Sequence, residues 1–381
     1  MIYFDHAATS PVRPEAAQAA CDVMLNGWGN PSSRYPAGKA AAQRMEQDRK
    51  TIAAALGCQP GELAFTSCGT EGNNWAIRGA AERGRHRGNH IITTAIEHDA
   101  VIQPLKALER QGYEVTWLQP DRDGRISLED LRKALRPDTI LVSMMLVNNE
   151  LGTILPVAEA VKLVRESGVP ALVHCDAVQA FLKIPFTPKK LGVDLLTVSG
   201  HKIGAPKGIG ALYVRKGLNN WKPMLYGGGQ EGGLRSGTEP TAQIAAFAKA
   251  AELGAAEMAQ TAARTAELKA YLIERLRGAV PEVQVLGAGE APHILCLTLP
   301  GYKSEVLVRV LGDNGICVSA GSACHKGKPS HVFAALPVSR AVKDGAFRLS
   351  FGAENTKEEA DRFVTVLRET ADRLLPVLRK H

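Results

Sequence analysis

The feature that most constrains this chain is an alternation, between residues 63 and 214, of short apolar runs with longer amphipathic ones. The short runs cover 63–67, 89–94, 114–118, 140–147, 171–176, 195–199 and 210–214, and they are rich in β-branched residues, as buried strands are. The intervening periodicity predicts helices through Ala81 and over 101–111, 127–135 and 157–166. Strands that alternate with helices in this way predict a mostly parallel sheet with helices on its faces. Such sheets bind ligands at the carboxyl ends of their strands. Thr70, His98, Asn148, Asp176 and Lys202 fall at those ends in this sequence.

Two further helices, over 14–25 and 37–56, precede the alternation, and Gly57 closes the second. After a Gly-rich stretch at 226–233, a long Ala/Glu helix over 241–277, with room for a break, leads to a second domain. That domain reads as strands near 283–286, 293–299 and 317–320 with helices near 304–314 and 357–380. A chain of 381 residues has ample length for such a core. Its net charge of +7 includes no run of five like charges, so nucleic-acid binding is not indicated. The amino terminus has no basic, apolar leader and no stretch is long enough to span a bilayer, so a cytoplasmic protein is expected. The seven cysteines are dispersed without a Cys-x-x-Cys pair, which argues against a disulfide framework or a zinc site. Most are expected to be buried small hydrophobes. Cys324 differs, because His325, Lys326 and Lys328 surround it in a stretch containing Gly327 and Pro329.

Lys202 closes Ser199-Gly-His-Lys202, directly after the strand at 195–199. Alone, this is more readily a surface lysine in a loop than an amine nucleophile at a cleft. Gly69-Thr70, between a strand and a helix, offers free amides and a helix dipole to a phosphate, or simply caps the helix. It lacks the Gly-Lys-Ser/Thr ending of a nucleotide loop, so the phosphate ligand would be small. Asp176 closes a buried strand with Gln179 three residues on; it either pairs with a buried cation or caps the next helix. His98 is titratable, yet a lone histidine is usually structural. Gly227-x-Gly229-x-x-Gly232 has the form of a dinucleotide fingerprint but follows no first strand, and is rejected. Taken together, the lysine, the acid on an earlier strand and the phosphate-binding helix start describe pyridoxal phosphate chemistry.

Tyr3-Phe-Asp-His-Ala-Ala-Thr9, Asn30-Pro-Ser-Ser33, Phe65-Thr-Ser67, Thr70-Glu-Gly-Asn-Asn74, Glu97-His98, Val147-Asn-Asn-Glu-Leu-Gly-Thr153, Asp176-x-x-Gln179, Ser199-Gly-His-Lys202, the stretch from Gly227 to Thr238 and Gly321-Ser-Ala-Cys324 carry a resemblance along nearly the whole chain. They resemble the NifS/IscS cysteine desulfurases, of the class V aminotransferase group of fold-type I pyridoxal phosphate enzymes. The resemblance implies an α/β fold, with a large domain over 15–255 built on a mostly parallel seven-stranded sheet. A smaller α+β domain, from 1–14 and 256–381, would carry the cysteine segment. Lys202 would hold pyridoxal 5'-phosphate covalently, His98 would stack on its ring and help move protons, and Asp176 would pair with the ring nitrogen. Gln179 and Asn148 would lie near the ring oxygen, with Asn148 also near substrate. Gly69, Thr70, Ser199 and His201 would hold the phosphate, joined by Thr238 from the second subunit of a homodimer. Arg348 would clamp the substrate carboxylate, for which its planar fork is suited.

The implied reaction takes L-cysteine to L-alanine and leaves sulfur as a persulfide on Cys324, for an acceptor in iron–sulfur assembly or tRNA thiolation. No metal, membrane or direct nucleic-acid partner is implied. An aminotransferase or a selenocysteine or cysteine-sulfinate lyase would share Lys202 and Asp176 without needing Cys324. A non-catalytic sulfur-relay scaffold would not need the full set. Three features depart from the family pattern: His6 where Asn is commoner, Cys68-Gly69 in place of Gly-Ala, and a shorter, more basic continuation after Cys324.

Overall fold

The computed structural model describes residues 1–218, 221–321 and 330–378, with side chains as far as Arg373. The seven apolar runs form one sheet: β1 (Leu63–Thr66), β2 (His90–Thr94), β3 (Glu114–Leu118), β4 (Thr139–Ser143), β5 (Leu172–Asp176), β6 (Leu195–Ser199) and β7 (Gly210–Val214). Their order is β1-β7-β6-β5-β4-β2-β3. The ladders from β6 to β3 are parallel, while β7 runs antiparallel to both β6 and β1. Helices cover both faces, and β2, β4 and β6 are buried at every position, their Ile, Leu and Val accompanied by buried Thr, Ser and His.

Two buried histidines stitch the sheet. His90 contacts the hydroxyls of Thr139 and Thr116 (2.7 and 2.8 Å), and His174 contacts those of Ser143 and Thr197 (2.9 and 3.2 Å). Burial lowers the His174 pKa to about 3, so its ring is neutral and its role structural.

Ahead of the sheet lie α1 (Pro14–Asn26) and α2 (Pro36–Leu56), and α2 ends on Gly57 with φ +77°. Within the sheet layer, α3 (Gly69–Gly84) follows β1 and α4 (Asp99–Glu109) follows β2. The long helix α5 (Thr241–Ala279) has no break. Its first half packs Ile244, Phe247 and Ala251 into the core of the large sheet. Its second half gives Leu268, Leu272 and Leu276 to another core, with Phe4, Phe347, Phe351 and Phe363. That second core lies on an antiparallel sheet of β8 (Gln284–Val285), β9 (Ile294–Thr298) and β10 (Ala346–Ser350). The helix α6 (His331–Ala335) precedes β10, and α7 (Lys357–Leu378) follows it.

Three sequence expectations need correction. The run 140–147 leaves the strand at Ser143, because Val147 folds back to bridge Ile154 around a turn closed by Gly152 (φ +70°). The strand expected at 317–320 is Ile316–Cys317, paired in parallel with Ile2–Tyr3. Of the six described cysteines only Cys175 and Cys296 are buried, and Cys21 is exposed on α1. Among the described residues no helix is long and apolar enough to cross a membrane.

Candidate active site

At the carboxyl ends of β5 and β6 the chain encloses a cleft of about 260 Å³. Lys202 stands there because β6 runs straight into one 3-10 turn, Gly200–Lys202. Its Nζ donates to the carbonyls of Ala7 (2.6 Å) and Ala8 (2.8 Å), which brings the amino-terminal segment across the cleft. The Ala7 carbonyl also accepts from Gln179 Nε2 at 2.9 Å.

Asp176 ends β5 and is buried. Its Oδ1 accepts from the Val178 amide (2.9 Å) and its Oδ2 from Asn73 Nδ2 (2.6 Å). These bonds satisfy and aim the carboxylate without supplying a cation. Asn73 was not foreseen as a site residue. Its position, one helical turn after Gly69 on α3, is the signal that could have found it.

Gly69, Thr70, Ser199 and His201 line the same cleft. A Cβ on Gly69 would meet Val178 Cγ2 at 2.8 Å, so the start of α3 lies closer to the end of β5 than any other residue would allow. Ser199 Oγ is buried with no hydrogen-bond partner. Burial, with the nearby charge of Lys202, lowers the His201 pKa to about 4, leaving a neutral ring. His98 caps α4, its Nδ1 accepting from Ala100 N at 3.1 Å, and its ring lines the cleft.

Arg348 reaches the cleft from β10. Its Nη1 donates to the Asn149 carbonyl and its Nη2 to Asp5 Oδ1, both at 2.7 Å, while Nε is buried without a partner. Arg348 therefore joins the cleft to the amino-terminal segment through Asp5, a partner that β10, itself unforeseen, made invisible in the sequence.

Asn148 is a correction. Its Oδ1 accepts from the amides of Glu150 and Leu151 (2.9 Å each), and its Nδ2 donates to the Ile96 carbonyl at 2.8 Å. Oδ1 is committed to its own turn and Nδ2 to the segment at Ile96, and the neighbour Asn149 lines the cleft with an unpartnered buried Oδ1. Thr238 is not brought to the cleft by its own chain; it borders a separate hollow with Thr66, Ser67 and Arg235. Cys68 lines the cleft beside Gly69. Cys324 and its neighbours His325, Lys326, Gly327, Lys328 and Pro329 lie outside the described residues.

An amine on one strand end, an anchored carboxylate on the next and a neutral, donor-rich cradle at a helix start are suited together to an aromatic aldehyde bearing a phosphate. The orphaned Ser199 hydroxyl and the close approach at Gly69 fit that group. Fold and cleft define a pyridoxal 5'-phosphate enzyme.

The aminotransferase class-V family profile matches residues 2–363. The chain is 42% identical over 377 residues to cysteine desulfurase IscS of Methanosarcina thermophila, covering 98% of this chain and 92% of that protein. It is 40% identical to cysteine desulfurase IscS of Dictyoglomus turgidum, covering 98% and 95%. A solved NifS-like protein superposes with a TM-score of 0.92 at 37% identity, covering 98% of this chain and all of that one. The chain belongs to the class-V aminotransferase family, among its pyridoxal-phosphate-dependent cysteine desulfurases.

Proposed function

We propose that this cleft converts L-cysteine to L-alanine and delivers the sulfur to Cys324, for onward transfer to an acceptor. The observation that carries the site assignment is the convergence of Lys202, Asp176 and the Gly69-Thr70-Ser199-His201 cradle on one cleft. Pyridoxal phosphate, when bound, supplies an electron sink next to the substrate α-carbon. Lys202 would hold it covalently, and its amine would remove and return the substrate α-proton. Asp176 would face the ring nitrogen, and His98 would lie beside the ring. Gln179 and Asn149 line the ring-oxygen and substrate side. Arg348 receives the substrate carboxylate, pre-aimed by Asp5 and the Asn149 carbonyl.

The Cys324 thiolate then attacks the substrate sulfur. A sulfur–sulfur bond forms as the carbon–sulfur bond breaks, and the released electron pair takes up a proton on carbon to give alanine. The protein works as a cytoplasmic homodimer in which Thr238 of each subunit completes the other's phosphate cradle. The exposed Leu25, Trp28 and Tyr226 support such an apolar contact. We assign 15–255 to the large domain and 1–14 with 256–381 to the small one, supported by the two cores that α5 joins. Iron–sulfur assembly is the proposed destination of the sulfur.

The test is to incubate the purified protein briefly with cysteine, alkylate it and map added sulfur by peptide mass. Persulfide on Cys324, alanine release, and loss of both in Cys324→Ala are the expected results. Wild-type alanine release by Cys324→Ala, or persulfide mainly on Cys68 or Cys317, would overturn the assignment. Borohydride should fix the cofactor to a Lys202 peptide, and Lys202→Ala should not turn over.

A further inference from the structure

The amino-terminal segment that crosses the cleft is fastened on both sides of Ala7 and Ala8. Ser350, the last residue of β10, is fully buried, and its Oγ accepts from the Ala7 amide at 2.8 Å. Its own amide donates to the Phe4 carbonyl (2.8 Å), and its carbonyl accepts from the His6 amide (3.4 Å). On the other side, the Tyr3 hydroxyl donates to the Thr9 carbonyl at 2.8 Å. Between these bonds the carbonyls of Ala7 and Ala8 both accept from Lys202 Nζ, at 2.6 and 2.8 Å.

The Ala7 oxygen has a second lone pair, which Gln179 Nε2 occupies at 2.9 Å. Ser350 and Arg348 stand two positions apart on β10, and so on one face of that strand. Both reach the same segment, since Arg348 Nη2 donates to Asp5 Oδ1. One strand end therefore fixes the guanidinium assigned to the substrate carboxylate and also the backbone that receives the lysine.

We propose that Ser350 and Tyr3 are positioning residues for Lys202, holding the Ala7 and Ala8 carbonyls as a dock for its amino group when an incoming amine displaces it from the cofactor. This rests on the reading of Lys202 as the covalent anchor of pyridoxal phosphate. A free lysine amine has hydrogens for both acceptors, whereas a nitrogen held covalently by the cofactor has at most one to give. The dock therefore favours the displaced lysine. In that exchange one carbon–nitrogen bond forms as another breaks. The protons given up by the incoming nitrogen are taken by Lys202, and nothing is oxidised or reduced.

The experiment titrates wild-type, Ser350→Ala and Tyr3→Phe holoenzymes with ethylamine and, separately, with L-alanine. Cofactor absorbance follows the displacement of Lys202, and thermal unfolding is recorded for each variant. Ser350→Ala should raise the half-saturating ethylamine concentration roughly threefold to tenfold, as expected for loosening about one hydrogen bond. Tyr3→Phe should shift it in the same direction. L-Alanine should show the same ratio, because ethylamine has no carboxylate for Arg348 to hold. A shift seen with L-alanine alone would make Ser350 a support for Arg348 and overturn the dock. Unchanged ethylamine displacement in Ser350→Ala would overturn it as well, whatever the melting temperature does. If Ser350→Ala does not fold, Tyr3→Phe decides by the same criterion. Borohydride fixing the wild-type cofactor to a peptide without Lys202 would instead remove the anchor reading beneath the proposal.

Discussion

Asn73 Nδ2 donates to Asp176 Oδ2 across 2.6 Å, joining the second turn of α3 to the end of β5. Both residues are buried, and Val178 N holds the other carboxylate oxygen. Both donors are neutral, so neither takes the place of the ring nitrogen that the proposed function sets opposite this carboxylate. A lysine or arginine in place of Asn73 would consume the carboxylate's charge.

Asn73→Ala should therefore keep the cofactor but slow exchange of the substrate α-proton. A hydrogen bond to a charged group contributes about 1.5–3 kcal/mol, roughly tenfold to a hundredfold in rate. Asp176→Asn should be slower still, since the charge itself is gone. Exchange in deuterated water followed by NMR measures both, and an unaltered rate in Asp176→Asn would make the carboxylate a simple helix cap.

The two adjacent asparagines should separate stability from catalysis. Asn148→Ala breaks the turn's side-chain hydrogen bonds and leaves buried backbone groups unpaired, a loss of about 1–3 kcal/mol for each group left unsatisfied. Asn149→Ala should leave the melting temperature nearly unchanged and lower kcat/KM for cysteine. Thermal unfolding and steady-state kinetics on the pair decide it; the reverse pattern would return Asn148 to the cleft.

Glu97 sets an alkaline limit on stability. Burial, reinforced by Asp176, raises its pKa to about 8 against the opposing Met145 amide and Thr94 hydroxyl. The folded protein keeps a proton that the unfolded chain gives up near its ordinary pKa of 4.5. The resulting stabilisation is fully present below pH 4.5 and is lost as pH rises through 8, at ~1.4 kcal/mol per pH unit. Glu97→Gln, which keeps the acceptor for both donors, should lack this fall. Urea unfolding at pH 5 and pH 8 should show the variant gaining on wild type at the higher pH; parallel losses would place the Glu97 pKa in the ordinary range.

Thr238 borders a hollow apart from its own chain's cleft. In a mixed dimer of Lys202→Ala and Thr238→Ala subunits, one site should carry both lesions and the other neither, restoring about half of wild-type activity per dimer. Sites complete within a single chain would each retain one lesion, so activity no higher than the mean of the two parent variants would refute the shared site.

Much of this architecture was legible in order along the chain. The runs at 195–199 and 210–214 coincide with strands buried at nearly every position, where burial on both faces favours apolar residues; 114–118 coincides with an edge strand that is exposed at Glu114 and half-buried over 115–117. Lys202, Asp176 and Gly69 were legible for a related reason: each stands directly where an apolar run ends. Strand β10 was missed, since Phe347-Arg-Leu-Ser interrupts an apolar strand with an arginine that pattern alone cannot distinguish from a loop residue.

The sequence by itself determined the sheet, the strand-end residues and, through its motifs, the family. Only the tertiary structure decided which of two identical neighbours faces the cleft, because a turn directs adjacent side chains to opposite sides and the bonds of Asn148 to Ile96, Glu150 and Leu151 select the one held back. It also decided that Asp5 would meet Arg348, and Ser330 would meet Glu150, across 343 and 180 residues of chain. Such pairings form where separate elements pack together, and no local periodicity in the sequence encodes them.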